Sequence, residues 1–229
     1  MPQQPEQISP THEVQAHRIA SLRHYRGDIA LLNYLLQDLR SLIRRHHKNE
    51  IAIHPQQVFT WDVHGLERRT VLCDPIGITE HANVQIVGFF GDRRERTDQD
   101  QVDASEFDLI SEFVHYPGIL SYSSIELVDQ YWANLVVHTA PEDREAWRQS
   151  DAHKNAVEVV APDAYHGVRI HNGRIPGGVL GSETVTIDST KYWDYDDPNL
   201  WHAIRKFPEG ASEILEGPVA ETGPAGADV

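Results

Sequence analysis

The chain has 229 residues, 40% of them hydrophobic, with 20 Lys or Arg against 35 Asp or Glu, a formal charge of −15 with the 14 histidines neutral. That charge opposes nonspecific attraction to nucleic acid or to an anionic membrane surface. A single cysteine, Cys73, excludes both an intramolecular disulfide and a four-thiolate metal site. No uninterrupted apolar run approaches the ~18 residues of a membrane span. The opening Met-Pro-Gln-Gln-Pro-Glu-Gln has no basic segment leading an apolar one, so no secretory signal is expected and the expected location is cytoplasmic.

Residues 1–10 are polar and proline-bearing and are expected to form a flexible arm. From 11 to 48, apolar residues such as Ile29, Leu32, Leu35, Leu36, Leu39, Leu42 and Ile43 recur at helical spacing. Gly27-Asp28 reads as a break, with Asp28 capping a second helix. The apolar face is wide enough to meet more than one partner, another subunit included. The run Arg44-Arg45-His46-His47-Lys48 suits the carbonyl end of a helix better than a nucleic-acid patch. Residues 56–64 and 69–74 read as the two strands of a hairpin turned at Gly65.

From residue 81 the order becomes regular. Asn83–Phe90 reads as a strand, 91–103 as a charged loop, and Glu106–His115 as a helix capped by Ser105. Ile119–Leu127 and Tyr131–His138 read as strands joined by a turn at Asp129-Gln130. Pro141 starts the next helix and Pro162 stops it. Tyr165–His171 is a strand, with a turn at Asn172-Gly173. The order is β-α-β-β-α-β, so the expected class is α+β with a ferredoxin-like unit over residues 81–175. Both helices then lie on one sheet face. The other face must be covered by another part of the chain or by a partner subunit, so a homo-oligomer is expected. The helix and hairpin of residues 11–80 leave open a degenerate second half-barrel. Residues 176–208 form a C-terminal extension, with a strand at Thr184–Asp188, aromatic anchors at Trp193, Tyr195 and Trp201, and a short helix from Asp197-Pro198 to Phe207. Residues 209–229, rich in Gly, Ala, Pro and Glu, read as disordered.

The stretch Glu145–Val160 carries the clearest candidate for chemistry. As one helix it places Ala146, Ser150, His153, Val157 and Val160 on a single face. His153 there is a candidate acid, base or neutral metal ligand, and Ser150, one turn earlier, can bond it or a substrate. A histidine on an apolar face is also commonly a hydrogen-bonded core residue. No orienting carboxylate accompanies a Ser-His pair. Asn134 shares a strand face with Trp132, Val136 and His138. A mid-strand Asn is costly unless partnered, whereas His138 reads as wet at the strand end. Arg169 and His171 share a face of the last strand, where they would bind an acidic group of a substrate or pair with acidic side chains. Tyr122, Tyr165 and His166 are placed to line the same cavity. His46, His47, His54 and His64 have no metal-ligand spacing, so no zinc site is expected. No phosphate-binding glycine motif is present.

The strands Tyr122–Leu127 and Tyr131–His138, the Trp147, Ser150 and His153 helix, and Tyr165–His171 together resemble the dimeric α/β-barrel superfamily. The likeness is strongest to the antibiotic-biosynthesis-monooxygenase-like group, in which a Trp followed by Ser and His on the second helix recurs. The resemblance spans roughly residues 81–175. It implies a dimeric α/β barrel with extra N-terminal helices and a C-terminal arm, and more distantly the chlorite-dismutase-like and aldoxime-dehydratase-like heme enzymes. It also implies a monooxygenase-like oxidoreductase acting on an apolar or aromatic small molecule, with no cofactor or with heme. Catalysis would fall to His153, Asn134 and Ser150, and substrate contact to Trp147, Tyr122, Trp132, Tyr165, Arg169 and His171. The heme alternative would take His153 as axial ligand, yet the residue ten after Trp147, where the heme-degrading branch carries its ligand, is Val157. A non-catalytic, ligand-binding oligomer is the third reading. Expected partners are a small apolar molecule and a second copy of the chain, with neither nucleic acid nor membrane.

Overall fold

The computed structural model of the chain describes residues 4–63, 65–127 and 131–208. From the N-terminus come β1 (Glu6–Ile8), α1 (Arg23–His47), the hairpin of β2 (Gln57–Val63) and β3 (Leu66–Leu72), and the single turn α2 (Gly77–Glu80). There follow β4 (Val84–Arg93), α3 (Gln99–Ser111), β5 (Ile119–Glu126) and β6 (Tyr131–His138). Next are α4 (Pro141–Arg148), α5 (Asp151–Asn155), a π-helical turn at Ala156–Val160, and α6 (Ala161–Ala164). The order ends with β7 (Tyr165–Ile175), β8 (Thr186–Asp194) and β9 (Trp201–Lys206).

The nine strands among the described residues join one sheet, in the order β1-β9-β8-β7-β4-β6-β5-β3-β2. β1 and β9 pair in parallel and the remaining neighbours are antiparallel, so the fold is α+β with a mixed sheet. The sheet is open, with β1 and β2 at its edges.

Side-chain alternation gives the central strands two distinct faces. Val84, Ile86 and Phe90 of β4 and Ala133, Leu135 and Val137 of β6 share one core cluster with α1. Leu32, Leu35, Leu36, Leu39 and Ile43 of α1 are each at most 1% exposed, and each such side chain contributes ~1.5–3 kcal/mol relative to exposure. Gly88 lets the helix lie close. A Cβ there would stand 2.8 Å from the methyl carbons of Leu32. The helix ends in Arg44, Arg45, His46 and His47, whose side chains suit the carbonyl end of its dipole. Asn49, at φ 57, takes the left-handed turn that follows.

α1 therefore covers, within one chain, the sheet face whose exposure was the reason to expect self-association. It is also one continuous helix of 25 residues, not two broken at Gly27-Asp28. Asp28 is no cap. It is 5% exposed, and its carboxylate accepts Nε and Nη2 of Arg169 at 2.7 and 2.8 Å and faces Nε2 of His171 at 2.9 Å. Nδ1 of His171 meets the Thr190 hydroxyl at 2.7 Å. The apolar periodicity of α1 outweighs the helix cost of one glycine, and Asp28 is satisfied by the sheet instead of by the helix end.

Other expectations change with tertiary context. Glu6–Ile8, read as part of a flexible arm, pairs with Ala203–Arg205 of β9. α3 starts earlier than Ser105, capped by Asp98, whose carboxylate accepts the Gln101 N–H. β7 runs through Asn172-Gly173 with a bulge instead of turning there. Residues 201–206, read as a short helix, form β9, because β8 offers an unpaired edge that Trp201–Lys206 can satisfy. His64, the turn at Asp129-Gln130 and the tail at 209–229 lie outside the described residues.

Asp28→Ala is expected to lower the unfolding free energy by ~3–5 kcal/mol, since it leaves Arg169 buried without its carboxylate; a chemical denaturation midpoint measures this. Burial alone would raise the pKa of Asp28. The charge of Arg169 and the hydrogen bonds from His171 and Arg169 instead hold it below the ordinary 3.8. A lowered carboxylate pKa stabilises the fold above the unfolded value, and the contribution is lost as pH falls through the folded one. The stability gap between wild type and variant should accordingly narrow in strong acid.

Candidate functional site

The opposite sheet face is roofed by α3 and by the segment from α4 to α6. Pro141 occupies the first turn of α4, and the Asp143 carboxylate accepts the Ala140 N–H at 3.0 Å. The helix then breaks. Ser150 adopts an extended backbone and caps α5, its Oγ accepting the His153 N–H at 3.1 Å. A π-helical turn at Ala156–Val160 precedes Pro162, which has no N–H to return to the carbonyl of Glu158. These irregularities set the angle at which His153 meets the sheet.

Between roof and sheet lies a cavity of about 370 Å³. Val87 and Phe89 of β4, Trp132, Asn134 and Val136 of β6, and Tyr165, Ile170 and Asn172 of β7 line its sheet side; Trp147, His153, Val157 and Val160 line its roof. His153 stands edge-on to Trp147, with ring centroids 4.8 Å apart, and Trp147 leans on Phe113 at 5.3 Å. Burial, reinforced by the charge of Arg148, pushes the His153 pKa down to about 4, so its ring is neutral at physiological pH.

A polar chain closes one end. Asn134 Nδ2 points to the Tyr122 oxygen at 3.5 Å, and the Tyr122 hydroxyl donates to Glu106 Oε1 at 2.9 Å. The other Glu106 oxygen accepts from Arg69 at 2.8 Å. Burial and then the Glu106 charge hold the Tyr122 pKa well above 10. Tyr165 is pushed up to about 12 by burial, and its ring meets Phe89 at 5.5 Å.

The structure thus brings His153, Asn134, Trp147, Tyr122, Trp132 and Tyr165 around one cavity. Four expectations are corrected. Ser150 is 8% exposed, and its hydroxyl oxygen serves as a helix cap away from the cavity lining. Arg169 and His171 point to the other sheet face and are taken by Asp28, so they offer a substrate nothing. His138 is not wet at all. It is 1% exposed, its Nδ1 meets the Ala140 carbonyl at 2.7 Å, and burial pushes its pKa down to about 4. His166 sits on the surface against Asp196 at 2.7 Å rather than in the cavity.

Sequence reading missed the charged residues Glu106, Arg144, Arg148 and Lys191 and the indole of Trp193, all of which line the cavity. Arg144 and Arg148 lie one turn apart on α4, and Lys191 alternates with Trp193 on β8, a signal that could be read only once β8 was known to join this face. Arg144 Nη1 donates to Asn172 Oδ1 at 2.5 Å. Burial, then the Arg148 charge, lower the Arg144 pKa; Lys191 is lowered by burial, then by Arg148 and Arg144.

Among known proteins, no protein-family description and no curated protein matches this chain. A protein of solved crystal structure from Shewanella oneidensis aligns at a TM-score of 0.37 and 11% identity, over 41% of this chain and 92% of its own. At that score the likeness carries no argument. No helix among the described residues is long and apolar enough to cross a membrane.

With folded pKa values near 4 against an ordinary 6.5, His153 and His138 leave the folded state binding fewer protons than the unfolded chain between those pH values. Their effect is absent above pH 6.5 and destabilises increasingly as pH falls toward 4. His153→Gln should make the melting temperature fall less steeply than wild type over that window. An unchanged slope would show that His153 protonates at an ordinary pH.

Proposed function

We propose that this chain is a small-molecule oxidoreductase of the monooxygenase-like type, acting on a compact aromatic or apolar substrate held between sheet and helices. The observation that carries the reading is a neutral His153 in the lining of an aromatic cavity that also includes Asn134 and Tyr122. A cavity of about 370 Å³ lies within the ~300–1,000 Å³ of small-ligand sites. The strand order β7-β4-β6-β5, with helical crossovers between β4 and β5 and between β6 and β7, supports assigning this part to a ferredoxin-like unit related to the dimeric α/β barrels.

The neutral His153 ring would accept a hydrogen bond from a substrate hydroxyl, and the Arg148 charge that disfavours an imidazolium would favour the phenolate form of that hydroxyl. The phenolate ring is electron-rich, and dioxygen would place one oxygen atom at a ring C–H and leave with the other as water, all four electrons coming from the ring, which becomes a quinone. Asn134 and Tyr122 would orient the substrate, and the walls of Trp132, Trp147 and Tyr165 would exclude water.

The heme alternative has one pocket histidine to rest on among the described residues, His153. A cavity near the lower end of the small-ligand range suits a compact ring system and not a porphyrin, so no step is assigned to heme. A Soret band that hemin raised with wild type and not with His153→Ala would overturn that choice.

Oxygen uptake with a panel of phenols and naphthols tests the main reading. His153→Ala should lower the rate ~100-fold with little change in melting temperature. Intact turnover with a lowered melting temperature would instead make His153 structural, and no turnover with any phenol or naphthol would make the site non-catalytic.

A further inference from the structure

The chain carries −15, yet one end of its cavity is cationic. Arg144 and Lys191 are partly buried, and neither pairs with a carboxylate among the described residues. Arg144 gives Nη1 to Asn172, while its Nε is buried with no acceptor. Glu145, the nearby carboxylate on α4, lies on the exposed side and is held by Arg148 at 3.1 Å. Of the two acids in the lining, Glu106 is already taken by Arg69 and Tyr122, and Glu158 is exposed. Withdrawing cations from water with no counter-charge is unfavourable, and an anionic ligand would supply the missing partner.

Sheet register orders the cavity floor. Asn134 of β6 pairs with Phe89 of β4, Phe89 with Ile170 of β7, and Ile170 with Lys191 of β8. The four form one row across adjacent strands, ~14 Å from end to end at the usual strand spacing. A hydrogen-bonding amide stands at one end, two apolar side chains in the middle and an ammonium at the other. In the next row Trp132 pairs with Gly91, Gly91 with Val168 and Val168 with Trp193, so an indole stands at each end of the row and the Tyr165 ring lies over the glycine between them.

We propose that the cavity takes an aromatic carboxylate, its ring over Phe89 and Ile170 between the two indoles and its carboxylate on Lys191 and Arg144. This rests on the reading of the cavity as a small-molecule site and adds the charge of its ligand. A neutral ring would leave the cationic end unmatched. A carboxylate there gains charge-assisted hydrogen bonds from the ammonium and the guanidinium.

The test uses 2-naphthoate and its uncharged analogue 2-naphthamide, with binding to the full chain measured by calorimetry and by quenching of tryptophan fluorescence. Naphthoate should bind at least about tenfold more tightly, ~1.4 kcal/mol. Lys191→Met and Arg144→Met should each remove most of that preference while leaving naphthamide binding unchanged, which also reports that the variants fold. Equal affinity of the two probes, or a preference surviving both substitutions, would overturn the inference and leave the small-molecule reading standing. Binding of neither probe would count against both.

Discussion

The contact on which the rest of the architecture depends is the buried carboxylate of Asp28 between Arg169 and His171. Three polar groups are buried here, and they meet only if α1 lies on the sheet at one height and one rotation. The leucines of α1 supply most of the driving force, but an apolar stripe can slide on an apolar face at small cost. The bidentate pair removes that freedom, because any displacement would strand a charge out of water. Arg169 and Asp28 lie 141 residues apart, so the contact also ties the N-terminal helix to the strand that ends the helical roof.

With α1 closing one face, the sheet divides its work. The face toward α1 carries the large apolar core together with this network, the Arg68–Asp38 pair and the Thr70–Ser123 hydrogen bond, and the face toward α3–α6 keeps room for a cavity. The division follows strand alternation. On β7, Arg169 and His171 turn to α1, whereas Ile170 and Asn172 turn to the cavity. Polar residues one position apart thus have unrelated roles, one set locking the fold and the other lining the site. The roof is less regular than the sheet, broken at Ser150 and widened ahead of Pro162. Those departures from an ideal helix are what bring His153 over the floor.

Sequence reading placed some residues correctly for a physical reason. The period of two along β6 put Trp132 and Asn134 on one face and Ala133, Leu135 and Val137 on the other, which is how they lie. The same period on β7 separated Arg169 and His171 from Ile170. What alternation could not say was which of the two faces holds the cavity, so the substrate-binding reading of Arg169 and His171 fails, whereas pairing with an acidic side chain is what Asp28 provides. Ser150 was misplaced because a helical wheel assumes an unbroken helix, and a serine is as ready to cap a new one. His138 read as exposed because strand ends usually are; here the chain folds α4 back over it. β9 was missed because six residues with weak periodicity acquire strand form from a neighbouring edge.

Local pattern, then, determined the elements from β4 to β7, the apolar character of α1, the two faces of each central strand and the presence of His153 near an apolar surface. These depend on residues a few positions apart. The tertiary structure alone decided that α1 covers the second face, that Asp28 serves the sheet and not a helix end, and that Lys191 and Arg144 meet at one end of a cavity. Such facts join residues tens to more than a hundred positions apart. Their energies, a desolvated charge and its partner, arise only when the chain has closed and water has left.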